Sequence, residues 1–295
     1  MTQRKTIKAL RANWWIVLIL TALTLMCLLP ILHTVAISFS DQAKAAAGEV
    51  MFWPSGFSLN SYAKLLQEGS FLEAFWVSIQ RVFLAIAISV SITILSAYAL
   101  SKSPQVFRGR NIYLWVLVFT MLFNAGTIPW YMAIRTAGLL DTIWALVLPC
   151  AVSAYNIILM MNFFKGIPSA LEEAALVDGA GPWRTLFQIY IPLSKPSIAT
   201  ITLFTVVYHW NNFYDGLVLM SKPNHYPLQT YIYQLTVTVD VRTITNIDTL
   251  KELLKVSGLT LNASKLVVSM VPILLVYPFL QRYFVTGLTL GSVKE

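Results

Sequence analysis

Long uncharged stretches dominate the pattern of hydrophobic and polar positions along this chain. Six of the intervals that lack Asp, Glu, Lys and Arg are 12–40, 82–101, 111–134, 142–164, 196–214 and 266–281. A helix needs about 20 largely apolar residues to cross the hydrocarbon core of a membrane. The first four intervals meet that length, the fifth does so once Asp215 is included, and the last once Lys265 or the residues after Arg282 are included. The pattern therefore predicts six membrane-spanning segments.

The intervals favour helices over the strands of a β-barrel. Barrel strands alternate apolar and polar residues over about ten positions, and runs such as Phe83–Ser91 do not alternate. Backbone groups in lipid must be hydrogen-bonded within the spanning segment, which a helix achieves. We therefore predict an all-α integral membrane protein with six transmembrane helices, at about 14–39, 80–101, 111–132, 140–164, 196–220 and 265–287.

The composition excludes several classes of protein. Of the 295 residues, 57% are hydrophobic and 12% are charged, and the mean hydropathy is +0.67. A soluble fold cannot cover its surface with so few polar groups, so a soluble enzyme, a disordered chain and a nucleic-acid binder are ruled out. The two cysteines, Cys27 and Cys150, lie in apolar runs and predict neither a disulfide framework nor a metal site. No catalytic constellation is visible.

The distribution of basic residues predicts the orientation in the membrane. Segments 1–13, 102–110, 165–195 and 282–295 carry 12 Lys and Arg against 4 acidic residues, whereas the other segments carry 9 against 9. Loops rich in Lys and Arg remain in the cytoplasm. Both termini and the longest internal loop, 165–195, are therefore expected to be cytoplasmic, and the net charge of +8 needs no anionic partner other than lipid headgroups.

The loop 165–195 predicts two short helices separated by glycine. Ser169 and Glu172 have the spacing of a capping box, which places the start of the first helix there. Gly179 is expected to end that helix, Pro182 suits the first turn of the second, and Pro192 is expected to end it. Such an element can dock on a partner protein, or it can rest among lipid headgroups as an interfacial helix.

Three motifs make this chain similar to a known family. The loop contains the Glu-Ala-Ala pattern of binding-protein-dependent ABC importer permeases, with Ile191 standing where Leu is usual. The C-terminal Val285–Lys294 resembles the tail of the maltose-type (MalG-like) carbohydrate permeases, and Trp210–Phe213 resembles the Trp-Asn-x-Phe of the fifth span. The residues that match the first pattern are Glu173, Ala174, Ala175, Gly179, Ile189, Ile191 and Pro192.

The resemblance implies a role for each part of the cytoplasmic side. The loop between spans 4 and 5 is the family's coupling helix, which inserts into a cleft of an ATPase subunit. Glu173 would meet a basic partner there, Ala174 and Ala175 would make the close contact, and Gly179 would set the turn. The C-terminal tail would reach between two ATPase subunits as a flexible, basic strand. The predicted coupling residues are Glu172, Glu173, Ala174, Ala175, Asp178, Gly179, Ile189 and Pro192, and those of the tail are Gly287, Gly291 and Lys294.

The chain is expected to move its substrate with energy from other subunits. It contains no Gly-x-x-x-x-Gly-Lys-Ser/Thr phosphate loop, so it is not expected to hydrolyse ATP. The resemblance implies one type-I transmembrane domain over residues 1–295, paired with a second homologous permease, two ATPase subunits that bind ATP and Mg, and an external solute-binding protein. It also implies a bacterial cell membrane, and a sugar or a complex or acidic oligosaccharide as the substrate imported by alternating access. No cofactor is expected on this chain.

Polar residues inside the spans are candidates for the substrate pathway. Polar groups are costly in lipid, so they usually face the protein interior; amides can bond sugar hydroxyls and aromatic rings can stack on sugar faces. The alternatives are interhelical hydrogen bonds and interfacial aromatic belts. Asp215, near the outer end of its span, is expected to snorkel. The candidates are Asn124, Tyr155, Asn156, Trp210, Asn211, Asn212 and Tyr214.

Two other functional classes are less consistent with the residues. An ion-coupled secondary transporter would show inverted repeats and carboxylates at mid-membrane, but the only acidic residues that the predicted spans contain are Asp141, at the start of the fourth, and Asp215, near the end of the fifth. A membrane-embedded enzyme would need a His, Asp and Glu cluster, and His33, His209 and His225 share no spacing that indicates one. The importer permease is therefore the function that the sequence favours.

Overall fold

The computed structural model describes residues 14–237 and 258–292, with side chains for 14–235 and 258–278. Over these residues the chain is helical and contains no strand. The helices are α1 Trp14–Ser38, α2 Gln42–Ala46, α3 Asn60–Gln67, α4 Gly69–Ser101, α5 Arg110–Leu122, α6 Thr127–Thr136, α7 Ile143–Cys150, α8 Ala154–Lys165, α9 Ser169–Val177, α10 Pro182–Leu193, α11 Lys195–Asn211, α12 Tyr214–Leu219, α13 Leu228–Val237 and α14 Leu259–Ser292.

The helices fall into two compact units. The first comprises the described residues up to Gly69 together with Gly258–Met270, and the second comprises Ser70–Val237 with the described residues from Val271 onward. In the first unit α1 is apolar, and its side chains are exposed from Trp14 to His33. Lys265 pairs with Glu68 at 2.7 Å within this unit. The long exposed apolar surface of α1 is suited to lipid or to another apolar helix.

Several described helices are long and apolar enough to cross a membrane. Three meet this test alone: α1, α4 and the Leu259–Pro278 part of α14. The pairs α7–α8 and α10–α11 pass when each is taken as one segment, although they bend by 49° and 82°, and α5 is a shorter apolar helix. An all-helical membrane protein is thus confirmed, while the count of six spans stays a prediction.

One hydrophobic core of the second unit lies between α4, α8, α10 and α11. Because α4 and α8 present small and long apolar side chains to each other, their surfaces interlock over the half of each helix nearest Lys102 and Lys165. The buried residues of this core are Ala97, Leu100, Ile157, Met160, Met161, Phe164, Leu186, Tyr190 and Ile201. This packing holds the loop that follows α8 against the end of α4.

A π-helical turn interrupts α4 at Ile86–Val90. The helix also begins at Gly69, well before the predicted span at 80–101, and Arg81 lies inside it and is fully buried. Charged residues end a span only when they remain exposed, and the charge of Arg81 is compensated within the protein. Long helices bend or widen at such π turns, which are frequent at functional sites.

Helices α11 and α12 are separated by a short interruption at Asn212 and Phe213. In α12, Gly216 allows close packing against Pro227 and Thr230. An ideal Cβ at Gly216 would lie 2.1 Å from Thr230 Oγ1 and 2.8 Å from Pro227 Cδ. Thr230 Oγ1 in turn donates to the Phe213 carbonyl at 2.8 Å. No side chain larger than hydrogen fits here without displacing that hydroxyl.

We therefore expect Gly216→Ala to destabilise the protein by about 1–3 kcal/mol, the usual cost of overpacking. Thermal unfolding in detergent would measure the effect. Gly69→Ala is the matched control, because no atom lies within 4 Å of its Cβ position. Equal unfolding temperatures for the two variants would contradict the packing described.

Candidate functional site

The first helix of the loop 165–195 forms where the sequence predicted it, but through different contacts. Helix α9 begins at Ser169, its N-cap is Pro168, and no side chain caps it. The predicted capping box is therefore wrong: Ser169 is already helical, and Pro168 cannot supply a side-chain acceptor. The Glu172 side chain, freed from that role, forms contacts outside the helix.

The end of α9 matches the prediction. Gly179 has a φ of +74°, and the amide of Ala180 donates to the Ala175 carbonyl at 2.8 Å. A left-handed residue of this kind closes the helix and satisfies its last carbonyls. Helix α10 then starts at Pro182 as expected and ends one residue after Pro192, at Leu193.

Glu172 ties α9 to the end of α4. Lys102 Nζ lies 2.6 Å from Glu172 Oε1, and the Tyr190 hydroxyl donates to Glu172 Oε2 at 2.6 Å. The same ammonium lies 4.1 Å from the centre of the Tyr98 ring and 4.4 Å from that of Tyr190, so it also makes cation–π contacts. Three helices, α4, α9 and α10, therefore meet at one carboxylate.

These contacts keep the Glu172 carboxylate ionised. Burial raises the pKa of Glu172, but hydrogen bonds from Lys102 and Tyr190 and the charge of Lys102 more than offset it, so the net pKa is below the ordinary value. Burial, followed by the bond to Glu172, raises the pKa of Tyr190 well above that of an ordinary tyrosine. At neutral pH the tyrosine therefore donates to a charged acceptor, and such a hydrogen bond is stronger than a neutral one.

The next residue along the helix faces the opposite environment. Glu173, Ala174, Asp178 and Gly179 are exposed, and only Ala175 of the Glu-Ala-Ala pattern is buried. Ile189 is half-buried against the core, and Pro192 is exposed. Large apolar side chains share the exposed surface: Leu176 at 60% exposure, Val177 at 88%, Trp183 at 65% and Phe187 at 59%. We call Glu173, Leu176, Val177, Trp183 and Phe187 the coupling surface.

The Lys102–Glu172 pair gives a direct test of the connection between α9 and α4. We expect Lys102→Glu to lower substrate uptake at least about tenfold, because it places a second carboxylate beside that of Glu172. The double variant Lys102→Glu with Glu172→Lys should restore most of the uptake. Uptake and membrane content would be measured together in cells. Arg108→Glu, at an exposed position in the same loop, should change little. Normal uptake in Lys102→Glu alone would show that the contact is dispensable.

A second polar cluster lies inside the second unit, around Arg81. Both carboxylate oxygens of Asp215 bond the guanidinium, Nη1 with Oδ1 at 3.1 Å and Nη2 with Oδ2. Nη1 also donates to the Asn212 carbonyl at 3.1 Å, and Nε donates to His209 Nδ1 at 3.3 Å. Because Nδ1 accepts this hydrogen bond through its lone pair, the imidazole of His209 is neutral and carries its hydrogen on Nε2.

The expectation that Asp215 snorkels is wrong. Its side chain is buried, at 4% exposure, and Arg81 is completely buried. The amide of Asn212 and the backbone N–H of Gly216 also donate to this carboxylate, at 3.2 and 2.8 Å. Fully bonded on both sides, the pair joins α4 to the break between α11 and α12, and a carboxylate with these partners has no reason to reach for solvent.

Most of the predicted substrate-pathway residues line two adjoining cavities. One, of about 460 Å³, is lined by Tyr155 and Asn156 among others; the second, of about 630 Å³, is lined by Asn124, Asn212 and Tyr214. Cys150 and Tyr208 line both, and neither was predicted. Their volumes are in the range of small-molecule sites, about 300–1,000 Å³.

Other predicted residues lie elsewhere. Trp210 is buried against Phe75, with ring centres 5.8 Å apart, in an apolar pocket, and Asn211 is exposed but lines neither cavity. Helix α14 continues to Ser292, so Gly287 and Gly291 are helical and not part of the predicted flexible strand, because the apolar pattern of the sixth span persists through them. Lys294 lies outside the described residues. The docking of this tail stays a prediction.

The chain is similar to known proteins over nearly its whole length. Residues 105–290 match the family described as binding-protein-dependent transport system inner membrane component. Protein LplC of Bacillus subtilis (strain 168) is 38% identical over 279 residues, which are 94% of this chain and 93% of that protein. The polygalacturonan/rhamnogalacturonan transport system permease protein YtcP of the same organism is 35% identical over 270 residues, 92% and 93% of the two chains.

A solved structure shows the same fold. It belongs to a bacterial ABC transporter involved in the import of the acidic polysaccharide alginate, with a TM-score of 0.82, 32% identity, and coverage of 96% of this chain and 98% of that one. These similarities confirm the resemblance inferred from the motifs. This chain belongs to the binding-protein-dependent transport system inner membrane components and is a permease of the carbohydrate ABC importers.

Proposed function

We propose that this chain is one of two permease subunits of an ATP-driven importer that carries an acidic oligosaccharide across a bacterial cell membrane. The other permease is homologous, two ATPase subunits bind ATP and Mg, and an external binding protein delivers the sugar. The acidic substrate class is supported by the relative that serves polygalacturonan and by the structural neighbour that imports alginate.

The observation that carries this proposal is the different environment of two adjacent carboxylates, one bonded within the protein and one exposed. Glu172 is held by Lys102 and Tyr190 at 2.6 Å each, whereas Glu173 is exposed beside Leu176 and Val177. A charged residue within an exposed apolar patch is typical of a protein interface. The tether then converts displacement of the coupling surface by an ATPase into displacement of α4, as alternating access requires.

The proposed topology has six spans with both termini in the cytoplasm. Helices α1, α4 and α14 are the long spans, and the bent pair α7–α8 forms a fourth. A fifth combines α11 with α12 across their break, and α5 continues through residues 123–126 into α6 to complete the count. This arrangement places Lys102 and the coupling surface on the cytoplasmic side, in agreement with the excess of basic residues there.

Purification of the tagged chain in a mild detergent, with mass spectrometry of the co-purifying proteins, tests the proposed assembly. The expected result is an ATPase with a phosphate loop and a second six-span permease. Recovery of the chain alone or as a homodimer, with no ATPase even after crosslinking, would overturn the proposal. Uptake of a galacturonate oligosaccharide by the reconstituted complex would then test the substrate class.

A further inference from the structure

The π-helical turn of α4 leaves one hydroxyl beside the smaller cavity without a partner. Ser89 is 4% exposed, lines the cavity of about 460 Å³, and its Oγ has no hydrogen-bond partner. A buried hydroxyl without a partner has lost its hydrogen bonds to water without replacing them, so such a group in a native protein calls for an explanation.

Hydroxyls in the neighbouring helix show the hydrogen bond that Ser89 lacks. Thr200, Thr202 and Thr205 of α11 each donate to the carbonyl four residues earlier, at 2.8–3.0 Å. A serine in a regular helix can do the same. The turn Ile86–Val90 departs from the α-helical repeat, and the Ser89 hydroxyl makes no such bond.

The other groups that line the cavity match the chemistry of a sugar. Asn156 is buried and carries an amide, and the rings of Tyr155 and Phe204 lie 6.4 Å apart. His209, whose Nδ1 accepts from Arg81, is uncharged. The lining therefore offers hydrogen bonds and aromatic faces without a net charge, which suits hydroxyls and the apolar face of a pyranose ring.

We infer that Ser89, Asn156 and the Tyr155 and Phe204 rings form a subsite for a sugar unit on this chain, in which the Ser89 hydroxyl bonds a hydroxyl of the substrate. The inference rests on the proposed function and adds a site to it. The subsite forms hydrogen bonds with sugar hydroxyls, so other groups must bind the carboxylates of an acidic substrate.

Thr93 provides a matched control four residues further along α4. Its Oγ1 is also buried and without a partner, but Thr93 does not line either cavity. Removal of either hydroxyl should leave the unfolding temperature equal or higher, since no hydrogen bond is lost within the protein. Only the loss of the Ser89 hydroxyl should weaken sugar binding.

The reporter for the experiment is Cys150, which lines the same cavity. The purified importer complex in nanodiscs would be treated with a small methanethiosulfonate reagent, and modification of Cys150 would be followed by mass spectrometry of this chain. Trigalacturonate is expected to slow the reaction. The concentration that halves the rate should rise about tenfold in Ser89→Ala and stay unchanged in Thr93→Val.

Each outcome bears on the inference. Half-protection at the same concentration in Ser89→Ala and the parent protein would overturn it, and so would absence of protection in a complex that imports trigalacturonate. A complex that imports no trigalacturonate would instead contradict the proposed function. Should Ser89→Ala fail to assemble, Asn156→Leu tests the subsite through its other hydrogen-bonding group, with the same expected rise.

Discussion

Sugar uptake is expected to fall to background in Glu173→Lys, while the amount of permease in the membrane stays unchanged. Glu173 is exposed on α9 and makes none of the contacts that tie this helix to α4, so the change should not disturb the fold. On the proposed coupling surface, the new lysine would repel the basic group of the ATPase that binds Glu173. Two like charges placed against each other at an interface cost several kcal/mol, which is enough to release an ATPase subunit.

The measurement has two parts, uptake of labelled oligosaccharide in cells and recovery of the ATPase with the tagged permease. Glu49→Lys is the matched control, because Glu49 is also exposed but belongs to the segment between α2 and α3, on the proposed external side. Normal uptake and normal ATPase recovery in Glu173→Lys would remove Glu173 from the coupling surface. Loss of recovery in both variants would indicate a general charge effect.

The second large effect is expected at the buried ion pair. Arg81→Met leaves the Asp215 carboxylate without its main partner in a buried site, and breaking such a pair typically costs about 3–5 kcal/mol. We expect little folded protein from Arg81→Met. The double variant Arg81→Met with Asp215→Asn should be recovered in larger amounts, because both charges have been removed.

Yield and thermal unfolding in detergent would be compared for Arg81→Met, Asp215→Asn and the double variant. The expected order places the double variant above both single variants, which is the signature of interaction in a double-mutant cycle. Additive losses would mean that the two side chains act independently. Arg135→Met is the matched control, since Arg135 is exposed on α6.

The local parts of the structure could be predicted from the sequence. The end of α9 at Gly179 and the start of α10 at Pro182 depend on backbone preferences of single residues, which neighbouring positions reveal. The capping box is absent because the helix begins one residue early, with Pro168 as its N-cap, and Glu172 instead bonds Lys102 and Tyr190. Those partners are remote in sequence, and no local spacing announces them.

The buried polar groups could not be predicted for the same reason. The uncharged interval 82–101 excludes Arg81, since a charge without a known partner is costly in lipid. Its partner Asp215 lies 134 residues away, beyond the reach of any local pattern. The π turn that frees Ser89 likewise has no recognised residue signature, whereas Asn124, Tyr155 and Asn156 could be selected because polar residues in spans tend to face the interior.

The separation of Arg81 from Asp215 also has a consequence for biosynthesis. Chains are made at roughly 5–20 residues per second, so the arginine leaves the ribosome roughly 7–27 s before the aspartate that neutralises it. During that interval α4 carries an uncompensated charge, which favours a position close to the headgroups. The helix is therefore expected to reach its final depth only after α12 has entered the membrane, which makes the pairing a late step of insertion.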